Sequence, residues 1–452
     1  MDELIVIGGG LAGTEAAWQA AVRGVKVWLY EMRPRVQTGA HIGGNLAELV
    51  CSNSLGSNLV DRASGLLKAE LRRLGSMVLE CADQASVPAG RALAVDRQNF
   101  SERVTDRILR HPNIHLVREE VKEIPEKPVV IASGPLTSPN LSDAIAEWLG
   151  RDHLYFFDAI APIVLAETVD MDIAFRGSRY EQSGQSDGDY INCPMNQDQY
   201  AEFVTALAAA ERIKLKDFEI GVESEVRAGF GNFFEGCLPI EVLALRSPQA
   251  LAFGPLRPIG LTDPKTGKRP YANVQLRQDN LAGSLYNLVG FQTNLTYPEQ
   301  KRVFGMIPGL ERAEFVRFGQ MHRNTFIYSP DILKETLQSH FREDCFFAGQ
   351  IIGVEGYVGN IATGLVAGWN AARVLKGQQA LILPRSTMIG ALCSYIVNAA
   401  AHDFQPMKAN YGLLPILEDN HIRGQRERAS AMSRRALARL DEFILENPMD
   451  FV

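Results

Sequence analysis

Leu4-Ile5-Val6-Ile7-Gly8-Gly9-Gly10-Leu11-Ala12-Gly13-Thr14-Glu15-Ala16-Ala17 is the stretch on which the reading of this chain turns. An apolar run breaks into glycines, and an alanine-rich helical segment follows at once. The glycines fit Gly8-x-Gly10-x-x-Gly13, the fingerprint of a βαβ dinucleotide-binding unit. Gly8 permits the tight turn, Gly10 lets the backbone approach a pyrophosphate, and Gly13 lets the helix pack closely on the strand. Gly9, Leu11 and Ala12 complete the loop and open the helix whose N-terminus then faces the phosphates. A second apolar run, Val25–Tyr30, ends in Glu31, eighteen residues after Gly13. An acidic side chain is expected there on the ribose hydroxyls, with Arg33 near the adenosine. A glycine turn that binds nothing is the competing reading, and the placement of Glu31 argues against it.

A chain of 452 residues exceeds one ordinary core, so two or three domains are expected. With 46% hydrophobic and 22% charged residues it reads as a soluble globular protein. No run approaches the roughly 18 apolar residues of a membrane span. Strand-like residues begin directly after Met1-Asp2-Glu3 with no secretory leader, so the cytoplasm is the expected compartment. Cys51, Cys81, Cys193, Cys237, Cys345 and Cys393 are scattered without a C-x-x-C pair, which speaks against structural zinc or a redox disulfide adjacent in sequence. No metal is expected. The net charge of −7 suggests no polyanion partner, yet His421 to Leu440 holds six arginines against the single acid Glu427. Such a basic face can bind RNA, or be simply a solvated helix surface.

Thr38 to Ser57 is dense in Ser, Asn and Gly and reads as loop and short helix. Helical spacing recurs from Ser64 to Leu74 and from Asn99 to Val104, and Pro128 to Pro135 reads as a short buried strand ending in a glycine turn. From Ile163 to about Phe318 the βα alternation is lost, and short apolar runs separated by Gly, Pro and Asn suggest a mostly antiparallel sheet. Asp344 to Tyr357 is a strand and glycine-punctuated loop, carrying Gly349, Gln350, Gly356 and Tyr357. It leads into a small-residue helix from Asn360 to Ala372. This second clamp, together with the N-terminal fingerprint, points to FAD rather than NAD. No second Gly-x-Gly-x-x-Gly occurs, so a separate nicotinamide-binding domain is not expected. The fold class is α/β: a Rossmann-like FAD-binding domain in two parts, 1–160 and 319–452, with an inserted α+β domain at 161–318. Gln425 to Glu446 is predicted as an amphipathic helix with arginines opposite its apolar stripe.

Five further stretches carry a family resemblance: Ala47 to Leu55, Phe234 to Glu241, Gly290 to Leu295, Met321 to Phe326, and Phe347 to Gln350. In order along the chain, they resemble the folate- and FAD-dependent tRNA (uracil-5-)-methyltransferases, shorter relatives of the GidA flavoproteins. The resemblance implies that methylenetetrahydrofolate donates a one-carbon unit to C5 of a T-loop uridine in tRNA, and that reduced FAD, regenerated by NAD(P)H, makes it a methyl. It also places Cys51 and Cys237 in the active site, with Cys237 as the C6 nucleophile and Cys51 assisting. A thiolate suits that addition, because uracil C5 is nucleophilic only after something adds to C6. Tyr357 is a candidate to stack on folate or flavin, and His322 and Arg323 to orient folate or uracil. Arg434 and Arg435, on one helical face, are the first candidates for tRNA phosphates. No obligate protein partner is expected. Two alternatives stand beside this reading. One is a GidA-like enzyme of the wobble uridine, although this chain has little room for the C-terminal extension of those relatives. The other is a flavin-bearing RNA-binding module without catalysis.

Overall fold

The N-terminal apolar run forms the strand Glu3–Ile7 at the centre of a five-stranded parallel sheet. The computed structural model describes residues 2–150, 154–159, 161–179, 188–213, 238–400, 404–417, 422 and 424–447; of 154–159 and 321–323 it describes the backbone. Across the sheet the strands run Cys345–Phe347, Val129–Ile131, Glu3–Ile7, Lys26–Tyr30 and Ile114–Val117. The connections therefore leave the first strand on both sides, and a crevice opens beyond its C-terminal end. Leu4, Val6, Val27, Leu29 and Val129 to Ile131 are buried, as expected for a parallel sheet covered on both faces.

The helix Leu11–Val22 is buried nearly all round, because it lies between this sheet and the long helix Tyr357–Leu375. Small residues let the two helices touch backbone to backbone. A Cβ on Gly364 would lie 2.3 Å from the Ala12 carbonyl oxygen, and one on Gly368 2.2 Å from that of Ala16. Two buried carboxylates fasten further helices to this layer. Glu15 accepts from Ser76 Oγ and Val78 N at the start of Met77–Gln84. Glu70 accepts from Met388 N and Ile389 N at the start of Met388–Asn398. Burial raises both carboxyls, Glu70 to about 8, and the helix N-terminal N–H groups offset this only in part. The helix Gln425–Glu446 packs the face carrying Ala429, Ser433, Ala436, Leu440 and Phe443.

A second apolar core lies between residues 161 and 313. It rests on a six-stranded antiparallel sheet ordered Phe175–Arg176, Tyr190–Met195, Ala272–Gln278, Leu285–Leu288, Ile163–Leu165, Phe315–Arg317. Along Ala272–Gln278 the residues alternate: Ala272, Val274 and Leu276 enter the core, while Asn273, Gln275 and Arg277 face away from it. That polar face is buried too, and Asn273 and Gln275 both donate to Asn192 Oδ1, at 2.9 and 3.1 Å.

Thr38 to Ser57 departs from its reading as loop and short helix. It contains no helix, and Ser54–Ser57 is an edge strand pairing antiparallel with Ala92–Val95. Its composition conceals the strand, because the serine hydroxyls bond locally: Ser52 and Ser54 Oγ accept from the backbone N–H two residues on. What holds it is remote in sequence. The buried Lys68 Nζ donates to Leu55 O at 2.8 Å and Gly56 O at 3.0 Å.

Gly368→Ala, which sets a methyl against the Ala16 carbonyl, is expected to cost about 1–3 kcal/mol through overpacking. A melting temperature equal to that of the parent would show that the two helices separate at no cost.

Candidate active site

The crevice beyond Glu3–Ile7 is a cavity of about 140 Å³ lined by Gly8, Gly9, Gly10, Leu11, Ala12, Glu31, Gly349, Gln350 and Tyr357 among others. Each glycine of the fingerprint has a geometric reason. Gly8 has φ +105, and a Cβ there would lie 2.4 Å from the Ala132 carbonyl oxygen. Gly13 lies beneath the loop rather than in the lining, and its Cβ would sit 1.8 Å from Gly8 O. At Gly10 nothing lies within 4 Å of the added carbon, so the backbone there is open to a ligand. The helix that Gly10 caps has no side-chain cap, and Thr14 N makes the first turn's bond to Gly10 O at 3.0 Å. Its leading N–H groups are thus available for an anion. These residues fit a dinucleotide pyrophosphate.

Glu31 stands where the ribose was expected, and protein groups already hold both its oxygens. Oε2 accepts from Gly9 N at 2.8 Å, and Oε1 from Arg33 N and Nε, each at 2.9 Å. Burial opposes its charge, but the Arg33 guanidinium and these N–H groups prevail and hold its pKa below the ordinary carboxylate value. A carboxylate has about four acceptor directions, so one remains for a hydroxyl. Arg33 is itself buried and reaches Glu48 Oε2 at 2.9 Å. Beside it, burial and the Arg33 charge bring His41 down to about 4, a neutral ring bonded through Nδ1 to Thr38 Oγ1.

A second cleft, about 320 Å³, adjoins the first and shares Val50, Pro135, Leu136, Gln350, Tyr357 and Asn360 with it. Its walls add Cys51, Ser52, Gln292, Asn324, Glu355, Gly356 and Lys408. Tyr357 joins the two ends of the chain: its Oη accepts from Cys51 N at 2.9 Å and Ser52 N at 3.1 Å. Arg97, Arg277 and Arg317 hold the other side of this loop and were not singled out from sequence. Arg97 Nη1 and Nη2 donate to Leu49 O and Cys51 O, and Arg317 Nη2 to Val50 O. Arg277 donates to Ser52 Oγ and Asn53 Oδ1. Gln292 and Asn324 lay within quoted motifs and could have been chosen there. Arg277 and Arg317, on strands of the antiparallel sheet, carry no local signal.

The structure thus gathers Cys51, Gln350, Gly356 and Tyr357 in one cleft. Cys237 lies outside the described residues. His322 and Arg323 lie on the strand Met321–Phe326, paired with Asp158 and Phe157 of Leu154–Ala159. Arg434 and Arg435 do not share one free face. Arg434 is exposed, while Arg435 is turned onto the carbonyls of Pro415 and Ile416, because successive helical residues point about 100° apart. Cys81, Cys193, Cys345 and Cys393 are buried, and burial pushes all four thiols up, Cys345 and Cys393 to about 12. Cys51 is half-buried in its polar loop. Among the described residues no helix is long and apolar enough to cross a membrane.

Comparison with known proteins places this geometry. The model of the family described as glucose inhibited division protein A matches residues 3–379. A methylenetetrahydrofolate–tRNA-(uracil-5-)-methyltransferase TrmFO of Heliobacterium modesticaldum is 56% identical over 443 residues, 98% of each chain. The protein of the same name from Natranaerobius thermophilus is 55% identical over 445 residues, 98% of this chain and 99% of that one. Among solved structures, GidA of Aquifex aeolicus superposes with a TM-score of 0.69 at 17% identity, covering 97% of this chain and 73% of that one. That likeness concerns the fold.

Tyr357→Phe removes the acceptor of two loop N–H groups. Amide exchange at Cys51 and Ser52 is expected to rise about tenfold or more, with flavin retained. Unchanged exchange at both amides would show that the hydroxyl does not hold the loop.

Proposed function

Because the chain belongs to the methylenetetrahydrofolate–tRNA-(uracil-5-)-methyltransferase family, within the group described as glucose inhibited division protein A, we propose that it methylates C5 of the T-loop uridine of tRNA. The observation that carries this reading is the meeting of the Cys51 loop and Tyr357 in a cleft continuous with the dinucleotide cavity. Methylenetetrahydrofolate gives up its one-carbon unit, the C5 hydrogen leaves as a proton, and the products are 5-methyluridine and tetrahydrofolate. Bound FAD in its reduced form supplies the two electrons that take the unit from the methylene to the methyl level.

This chain's residues do the rest. The fingerprint glycines and the N-terminus of Leu11–Val22 hold the pyrophosphate, and Glu31 accepts from the ribose. A thiolate, which we assign to Cys237 with Cys51 assisting, adds to C6 and makes C5 nucleophilic; its elimination after transfer restores the aromatic uracil. Glu355, the carboxylate lining the Cys51 cleft, is our acceptor for the C5 proton. Tyr357 walls the cleft for stacking, and His322 and Arg323 orient folate or uracil. Arg434 offers charge to the tRNA backbone, as does Arg435 once released from its carbonyls. NAD(P)H, as a transient co-substrate, would supply the reducing equivalents. The organisation follows the divisions 1–160, 161–318 and 319–452, in a cytoplasmic protein with no obligate protein partner.

Anaerobic incubation with tRNA and labelled methylenetetrahydrofolate, followed by nucleoside mass analysis, is expected to place the label in T-loop 5-methyluridine. Label at the anticodon wobble position, or none in tRNA, would overturn the assignment. Cys237→Ala is expected to stay yellow and lose transfer by about 10³-fold or more; full activity would remove Cys237 as nucleophile.

A further inference from the structure

We infer that Arg97, Arg277 and Arg317 are positioning residues that keep Cys51 as a thiolate and fix its loop against the cleft. This rests on the reading of Cys51 as an active-site thiol. Between them the three guanidiniums grip every residue from Leu49 to Asn53. Arg97 takes Leu49 O at 2.7 Å and Cys51 O at 3.0 Å, and Arg317 takes Val50 O at 2.9 Å. Arg277 takes Ser52 Oγ, and Asn53 Oδ1 at 2.8 Å. They reach the loop from three elements: the helix Arg97–Arg110 and two strands of the antiparallel sheet, Ala272–Gln278 and Phe315–Arg317. A loop needs no such number of charges to satisfy its carbonyls, for which neutral donors suffice.

Charge counting shows what they add. Among the described residues, the ionisable groups facing the loop from the packed elements include these three arginines, Asp279, Tyr190 and Tyr357, with Glu355 and Lys408 across the cleft. His41, beyond Arg317, is neutral. Asp279 pairs with Arg97 at 3.0 Å, and both are buried or nearly so. Among these described groups the balance is positive and poorly screened by water, which favours the thiolate over the thiol. Asp279, Tyr357 and the Cys51 sulfur raise Arg97 against the effect of burial. The same sulfur opposes the burial that lowers Arg277 and Arg317. Attraction between two charges acts on both partners, so each guanidinium supports the thiolate in return.

The pH dependence of Cys51 alkylation by iodoacetamide tests this in the reduced, flavin-loaded protein, read on the Cys51 peptide by mass spectrometry. Arg317→Gln is expected to raise the midpoint by about one pH unit, and Arg317→Lys to return it close to that of the parent. Asp279→Asn removes the counter-charge and is expected to lower the midpoint, a direction that loosening of the loop does not explain. Equal midpoints in all variants, or shifts of one sign for Arg317→Gln and Asp279→Asn, overturn the inference. If Arg317→Gln does not load flavin, Asp279→Asn decides alone. Alkylation is read without tRNA or folate, so it stands apart from the nucleoside analysis that tests the proposed function.

Discussion

The backbone contact between Leu11–Val22 and Tyr357–Leu375 is the constraint on which the rest of the molecule depends. The carbonyl oxygens of Ala12 and Ala16 occupy the space where Gly364 and Gly368 would otherwise carry a side chain. At that separation the long helix lies directly over the first one. The strand Cys345–Phe347 that precedes it then completes the parallel sheet beside Val129–Ile131. The same register delivers Gly349 to Ala12 and Tyr357 to the Cys51 loop. The dinucleotide cavity and the adjoining Cys51 cleft, built from segments far apart in the chain, are therefore set by one close approach.

A second constraint joins the two cores. The antiparallel sheet turns a polar face away from its apolar core, and that face is nevertheless buried. Burying so many polar groups is tolerable only where each finds partners. The loop from Leu49 to Asn53 supplies those of Arg277, through Ser52 and Asn53, and Asn53 also bridges Val95 O and Gln278 O through Nδ2. The loop is thus the seam between the two parts, and the thiol sits on the seam. Arg97 and Asp279 close the seam from opposite sides, so the electrostatics at Cys51 depend on how the parts meet.

Local chemistry made much of the parallel layer legible from sequence. Gly8 and Gly13 make the tight turn and the close packing that their spacing implied, because these are demands on single residues. Gln425–Glu446 could be read for the same reason, since its apolar stripe recurs at helical spacing. Ser54–Ser57 could not. Its serines resemble a loop, and the partners that make it a strand, Ala92–Val95 and Lys68, are remote in sequence. Arg435 illustrates the same gap at the level of one side chain. Composition counts a cation, whereas its hydrogen bonds to the Pro415 and Ile416 carbonyls come only from the fold.

From sequence alone came the dinucleotide fingerprint, the second glycine-rich clamp, the antiparallel character of the middle segment, and Cys51 and Tyr357 as candidates. The fingerprint, the clamp and the antiparallel character rest on period, spacing or residue type within a short window, where local sterics decide the outcome, whereas Cys51 was implied by the family resemblance. The tertiary structure decided that Cys51 and Tyr357 touch, that Glu31 is shared with Arg33 and Gly9, and that three arginines from separate elements converge on one loop. Convergence of this kind leaves no mark on neighbouring residues. It arises because burial makes charged and polar groups find partners wherever the packing of the two cores brings them.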